Sequence, residues 1–369
     1  MDEFGAVVAE PGEVGVDREQ LERAHQVLMS AVNAGDVPGG VGLVLRHEKI
    51  AALWAEGWAC QLPARSEMMT DTLFDLASLT KVVATTPAAM LSVERGVLSL
   101  GDRVGEFMAE FARGPKSEVT IKHLLTHTSG LPATGEFYSR AKSRADVLRL
   151  LQDVELEYEP GTKCIYSDVG FIVLGLLVEK LWDKPLDEVA RAEVFEPLEM
   201  GDTGFNPSPD EARRCAATKY CDIRKRVLQG ENHNRVTYAM GGVSGHAGLF
   251  STATDLAKYA RMWLNKGRYN SARILSAASV ETTTANHTAS LSNTRGLGWI
   301  LWPDPMFPGC DLCSPGSYGH TGFTGTSIII DPRRDLAIVL LTNRTHPIES
   351  NGIFALRRHF HNAVLAAVL

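Results

Sequence analysis

Apolar positions recur along this chain with two periods, and the switch between them divides it. From 17 to 33 the spacing is helical. Leu21, Ala24, Leu28 and Val32 share a face, Asp17 caps the start with Gln20 completing a capping box, Val16 can staple onto Leu21, and Gly35 ends the helix. Two β-rich runs follow, 40–45 and 50–55, joined by Arg46-His47-Glu48-Lys49 as a hairpin. From Ser78 to about Lys266 the pattern is mostly helical, with long loops. The stretch after Ser78 (Val82, Val83, Ala84, Ala88, Ala89, Met90, Leu91) is apolar nearly all round, hence buried, and Pro87 should kink it near Val83. A second buried helix is predicted over 169–181, and an amphipathic one over 254–265, with Leu256, Tyr259, Ala260, Trp263 and Leu264 on one face. After about Gly296 strand patterns return at 297–302, 326–330 and 336–341. The segment 350–369 closes as a helix with Ile353, Leu356, Phe360 and Val364 inward.

Strands at both ends and helices between them predict an α+β fold. Its economical form is one antiparallel sheet built from both termini and covered by the two terminal helices, with a mainly helical region inserted. The expected units are 1–75 with 267–369 for the sheet and 76–266 for the helices, and Ser78 lies at their seam.

Composition narrows the function. A net charge of −7, a pI near 5.9 and no basic stripe argue against a nucleic-acid partner. The opening Met1-Asp2-Glu3-Phe4-Gly5 lacks a secretion signal, and the longest uncharged apolar run, 169–178, is too short to span a bilayer. The expectation is a cytoplasmic protein with no membrane span. Six cysteines (Cys60, Cys164, Cys215, Cys221, Cys310, Cys313) in 369 residues do not make a disulfide scaffold. Cys310 and Cys313 have the spacing of half a zinc site, but no second such pair accompanies them, so they read as structural thiols. The glycine-rich 241–248 lacks the lysine and preceding strand of a phosphate loop.

Candidate chemistry begins at Ser78-Leu79-Thr80-Lys81. Three residues apart on a helix, the hydroxyl and the amine share a face, and Lys can activate Ser if its pKa is lowered. Ser139 and Lys142 repeat the spacing inside a charged stretch that reads as surface. Tyr166-Ser167-Asp168 opens the second buried helix, so its side chains sit at a helix mouth. A nearby Lys⁺ favours phenolate, which would let Tyr166 and Lys81 act as one base. Tyr220-Cys221-Asp222 has a similar pattern without the helix. His320-Thr321-Gly322 precedes the 326–330 strand. There a small residue lets a substrate backbone approach, and the Phe323 N–H is placed to meet a carbonyl oxygen. His127-Thr128-Ser129-Gly130 is its look-alike.

Taken together and in this order, Ser-x-x-Lys, Tyr-Ser-Asp and His-Thr-Gly resemble the serine β-lactamase and penicillin-binding protein family. The Tyr motif is similar to that of class C β-lactamases and family VIII carboxylesterases. The likeness extends over about 37–341, including His-Thr-Ser-Gly-Leu at 127–131, Pro160-Gly161, 197–200 and 245–252. It implies the β-lactamase/D,D-peptidase fold and acylation of Ser78, with Lys81 and Tyr166 sharing the base role. It also implies that Asp168 holds Lys81 and a substrate amide, that His320, Thr321 and Gly322 line the edge strand, and that the N–H groups of Ser78 and Phe323 form an oxyanion hole. No metal or organic cofactor is implied. The expected partner is a small-molecule ester, amide or lactam.

One departure from the family matters. β-Lactamases usually carry Lys where this chain has His320, and an imidazole of pKa about 6.5 is mostly uncharged at neutral pH. Arg344 could supply the missing charge, although a solvated surface arginine is the commoner case. The departure leans the expectation towards a carboxylesterase-like hydrolase. The alternatives are a β-lactamase or D-amino-acid peptidase, and a non-catalytic ligand-binding protein of the same fold.

Overall fold

In a computed structural model that describes residues 8–134 and 136–369, the apolar runs from the two ends meet in one antiparallel sheet of seven strands. These are β1 (Gly39–Arg46), β2 (Lys49–Cys60), β3 (Ser66–Glu67), β4 (Ile300–Leu301), β5 (Tyr318–Thr321), β6 (Ser327–Asp331) and β7 (Leu336–Thr342). Their order is β4-β5-β6-β7-β1-β2-β3. Early and late chain join where Gly40 faces Thr342 and Arg46 faces Leu336. The hairpin between β1 and β2 turns on His47 and Glu48, both at positive φ (48° and 62°), the twist such a tight turn requires.

Two helices cover one face, α1 (Arg18–Asn33) and, at the other end of the chain, a helix at Ile353–Ala366. Leu28, Val44, Ile338, Leu340 and Phe360 form the core between them and the sheet. Only half of the expected capping box forms. Asp17 accepts from the Gln20 N–H at 2.8 Å, but its own N–H donates to Ala367 O at 2.8 Å, tying the first helix to the end of the chain. The opposite face packs on the amphipathic helix at Ala253–Leu264, where Tyr259 and Trp263 meet Leu43, Val339 and Leu341. Alternate residues of β7 thus enter different cores, which is why its run is apolar at every position.

The Ser78 helix begins as a π-helical turn, Lys81–Thr85, and becomes regular as α2 (Thr86–Glu94). Pro87 has no N–H to donate one turn back, and the ladder shifts register there. The helix expected at 169–181 is α3 (Asp168–Trp182), capped by Ser167, whose Oγ accepts from Gly170 N–H at 3.1 Å and donates to Pro132 O at 2.7 Å. The other two helices named above are α4 (Ala253–Leu264) and α5 (Ile353–Ala366).

Several expectations need correction. The strand expected at 297–302 is reduced to Ile300–Leu301, while the strand that the resemblance implies at His320 and Thr321 is present as β5. Cys310 and Cys313 are not free thiols: a tight turn brings their Cα atoms to 5.8 Å and they form a disulfide. Among the described residues no cluster of His, Cys, Asp or Glu could hold a metal ion, and no helix is long and apolar enough to cross a membrane. The acidic opening, residues 1–5, lies outside the described residues.

Candidate active site

Ser78 sits on a strained turn. Phe74–Asp75 pairs with Leu249–Ser251, and two residues later Ala77 adopts a left-handed φ of 47°, which costs a non-glycine residue about 1 kcal/mol or more. The strain is held in place from both sides. Buried Asp75 accepts from Ala77 N–H at 2.9 Å, and Thr80 Oγ1 donates to Ala77 O at 2.7 Å. Asp75 also accepts from the His233 N–H (2.9 Å), His233 Nδ1 (2.8 Å) and Asn232 Nδ2 (3.2 Å).

Lys81 is fully buried and its Nζ has three acceptors: Ser78 Oγ at 3.2 Å, Asp168 Oδ1 at 2.7 Å and His246 O at 3.1 Å. Three acceptors match the three protons of an ammonium. Burial alone would push the Lys81 pKa down, but Asp168 and Tyr166 outweigh it and hold it above its ordinary value. Burial likewise opposes ionisation of Asp168, yet Lys81 keeps that carboxyl below its usual range. For Tyr166 burial wins over the Lys81 charge, so its pKa is raised. The resting set is therefore ammonium, carboxylate and neutral phenol, not the phenolate expected from the Lys–Tyr pairing. Lys81 Nζ lies 4.8 Å from the Tyr166 ring centroid, close enough for its charge to bear on the phenol.

The His-Thr-Gly segment closes the site. The His320 ring centroid is 6.1 Å from that of Tyr166, and its Nδ1 donates to Thr321 O at 2.8 Å, leaving Nε2 as a buried lone pair without a partner. Burial, with Lys81 and Arg295 adding to it, pushes its pKa down to about 3, so it offers an acceptor and no charge. Gly322 packs so tightly on the Ser78 turn that an added Cβ would lie 2.3 Å from Leu76 O. The N–H groups of Ser78 and Phe323 donate to no other group among the described residues, which suits both to an oxyanion. Arg344 is not a solvated arginine and not a free charge. It is 5% exposed, its Nε donates to Phe323 O at 2.6 Å, and its other nitrogens reach Ser350 O and Glu349. It holds the Phe323 carbonyl, in the peptide that follows the Phe323 N–H.

The sequence look-alikes fare differently. Ser139 and Lys142 are exposed, as is Tyr220. His127 is no bystander: its ring lies 4.4 Å from Tyr166 and its Nδ1 accepts from Ser167 N–H at 3.1 Å. Four other residues escaped the sequence. Asp75, a lone charge in the apolar run 73–77, is marked by that alone, and His246 lies in the 245–252 likeness without a role of its own; His233 and Arg295 carry no such signal.

Arg295 is 1% exposed, and its Nε and Nη1 have no partner. Its Nη2 donates to Met306 Sδ at 3.2 Å, and no carboxylate pairs with it among the described residues. Its charge bears on His127, His320 and Cys164.

Burial also holds His246 near 4 and His361 near 4, as it holds His320 near 3. These imidazoles stay neutral in the folded chain and take up protons when it unfolds. Stability is complete above the unfolded value of about 6.5 and falls below it, by about 1.4 kcal/mol per pH unit for each histidine. Urea midpoints at pH 7, 6 and 5 should decline steadily. A midpoint that does not move would contradict this protonation scheme.

Comparison with known proteins bears on the whole chain. The family model described as "Beta-lactamase" matches residues 19–360. An N-acetylmuramyl-L-alanine amidase of Bacillus subtilis is 34% identical over 91% of this chain and 85% of its own length. A putative D-alanyl-D-alanine carboxypeptidase of Escherichia coli O157:H7 is likewise 34% identical, over the same shares. Among solved structures, EstCE1, a hydrolase with promiscuous acyltransferase activity, superposes with a TM-score of 0.75 at 25% identity over 94% of this chain and 99% of its own. A variant of simvastatin synthase from Aspergillus terreus gives 0.76 at 20% identity over 95% and 98%, which speaks to the fold alone.

Proposed function

The chain belongs to the β-lactamase family of serine hydrolases, and from that premise we propose that it cleaves acyl–D-amino-acid amides or related esters bearing a free carboxylate, through an ester on Ser78. The observation that carries the reading is Arg295. A buried guanidinium without a counter-ion is costly, and a substrate carboxylate is the partner that would offset the cost. Half-exposed Met306 is the side chain that would give way to admit it. This departs from the esterase expectation, which rested on the missing charge at His320: the charge comes from Arg295, neither from His320 nor from Arg344.

In this reading the carbonyl oxygen lies between the N–H groups of Ser78 and Phe323. Ser78 Oγ bonds to the carbonyl carbon and passes its proton to Tyr166 Oη, while the Tyr166 proton moves to the departing amine or alkoxide. A neutral phenol suffices for this relay, because it gains one proton as it gives up another. Lys81 stays an ammonium and stabilises the charge that grows on Ser78 Oγ. Deacylation reverses the route: water adds to the acyl carbon, its proton goes to Tyr166, and the phenol returns a proton to Ser78. Asp168 keeps Lys81 charged throughout. A simple esterase is the second reading, favoured by the uncharged His320 and by the likeness to EstCE1.

The test is Arg295→Leu, assayed with acetyl-D-alanyl-D-alanine and with p-nitrophenyl butyrate. Loss of a charge-assisted pair should lower kcat/KM for the peptide at least about tenfold more than for the ester. Equal losses on both, or a wild-type protein that leaves the peptide intact, would return the assignment to the esterase.

A further inference from the structure

A cavity of about 810 Å³ lies at the free end of β5, between the loop 302–311 and the first turns of α5. It is on the other face of the sheet from Tyr166. Tyr318 packs on Trp263 and Trp299 and His320 sits by Tyr166, so Thr321, the next residue along the strand, faces α5 and lines the cavity with Phe354, Arg357 and Arg358. Its volume falls in the range of small-molecule sites, about 300–1,000 Å³.

Two arginines and two aspartates line the cavity, and only the arginines have donors left to offer. Arg357 is 6% exposed and its Nε has no partner; among the described residues neither it nor Arg358 pairs with a carboxylate. The two acids on the lining are engaged elsewhere. Asp304 accepts from the N–H groups of Thr294 (2.5 Å) and Met306 (2.7 Å), and Asp311 from Asn362 Nδ2 at 2.6 Å. Burial and the neighbouring Arg344 push Arg357 down to about 9, a strain that an anion would relieve.

We propose that this cavity is a subsite for a second carboxylate, carried by the substrate away from the scissile bond and held by Arg357 and Arg358. The proposal rests on Ser78 acylation as described above. It also has a catalytic consequence. Arg357 Nη2 donates to Gly322 O at 2.9 Å and Thr326 O at 2.7 Å, the two ends of the turn that presents the Phe323 N–H. An anion seated on Arg357 restrains the group that anchors this turn, so its binding energy emerges in kcat as well as KM.

The test uses mono-p-nitrophenyl esters of aliphatic diacids of increasing length, each beside its neutral methyl ester, with wild-type protein and Arg358→Glu. Arg358 is exposed, so the variant should fold, which a thermal melt checks. The wild type should favour one acid over its methyl ester by roughly tenfold in kcat/KM, and Arg358→Glu should erase or invert that ratio. Identical ratios in the two proteins overturn the subsite. Stimulation of methyl-ester turnover by free diacid, with no tail preference, overturns the assignment to the substrate. Ser78→Ala separates the two readings: turnover that persists there removes the acyl-enzyme premise whatever the ratios are.

Discussion

Lys81→Met should lower turnover by about 10³-fold and lower stability at the same time, whereas Lys81→Met combined with Asp168→Asn should regain stability and remain inactive. The first loss combines the charge beside Ser78 Oγ with the restraint on its position, each of a kind that contributes about 10²–10³. The second arises because Asp168, 16% exposed, is left as a largely buried unpaired charge beside an apolar side chain, which costs up to about 3 kcal/mol. Neutralising Asp168 removes that penalty without restoring the ammonium. Methionine keeps most of the lysine volume, so packing among Val82, Phe171 and Tyr166 changes little. Steady-state rates with a chromogenic ester, fluorophosphonate labelling of Ser78 and melting curves read the two effects apart. A double variant that recovers activity along with stability would show that Lys81 is structural and that the proton route runs elsewhere.

Gly322→Ala should cost about 10²-fold in kcat with the fold retained. An added Cβ would lie 2.1 Å from Thr326 Oγ1 and 2.3 Å from Leu76 O, so strand and nucleophile turn must separate. Thr326 can rotate, but Leu76 O is backbone, two residues before Ser78. Displacing one oxyanion donor by about an ångström relative to the nucleophile is enough for a loss of that size. Gly322→Ala with Thr326→Ala relieves only the contact that could relax anyway, and should rescue little. A kcat within threefold of wild type would mean that the turn absorbs the methyl group and that Phe323 is not held as tightly as its bonds to Arg344 suggest.

The proximity of Ser78, Lys81 and Asp168 is legible in sequence, for reasons that differ residue by residue. Short spacings on helices fix geometry locally: three residues bring the hydroxyl to the amine, and the mouth of α3 presents a phenol and a carboxylate together. The sheet was legible because β7 is apolar at every position and the terminal helices keep a strict stripe. The rest depends on contacts between distant segments. Nothing near Arg295 in sequence says that its charge bears on His320, and nothing near Arg344 says that it holds the Phe323 carbonyl. His127 reads in sequence as a look-alike of His320, yet with its left-handed backbone its ring lies 4.4 Å from Tyr166. The protonation state is not legible either: adjacency to Lys81 is visible in sequence, but the burial that overrides it for Tyr166 is not.

The pairing of β1 with β7 has a consequence for biosynthesis. Strands made within the first sixty residues have no central partner until residue 342 has been translated, and the arginine that anchors the oxyanion turn follows later still. While the polypeptide is still attached to the ribosome, the helical middle can collapse around α2 and α3, but Ser78 has nothing opposite it. A nascent chain halted before β7 should therefore be inert towards a fluorophosphonate, and reactivity should arrive abruptly near the end of synthesis.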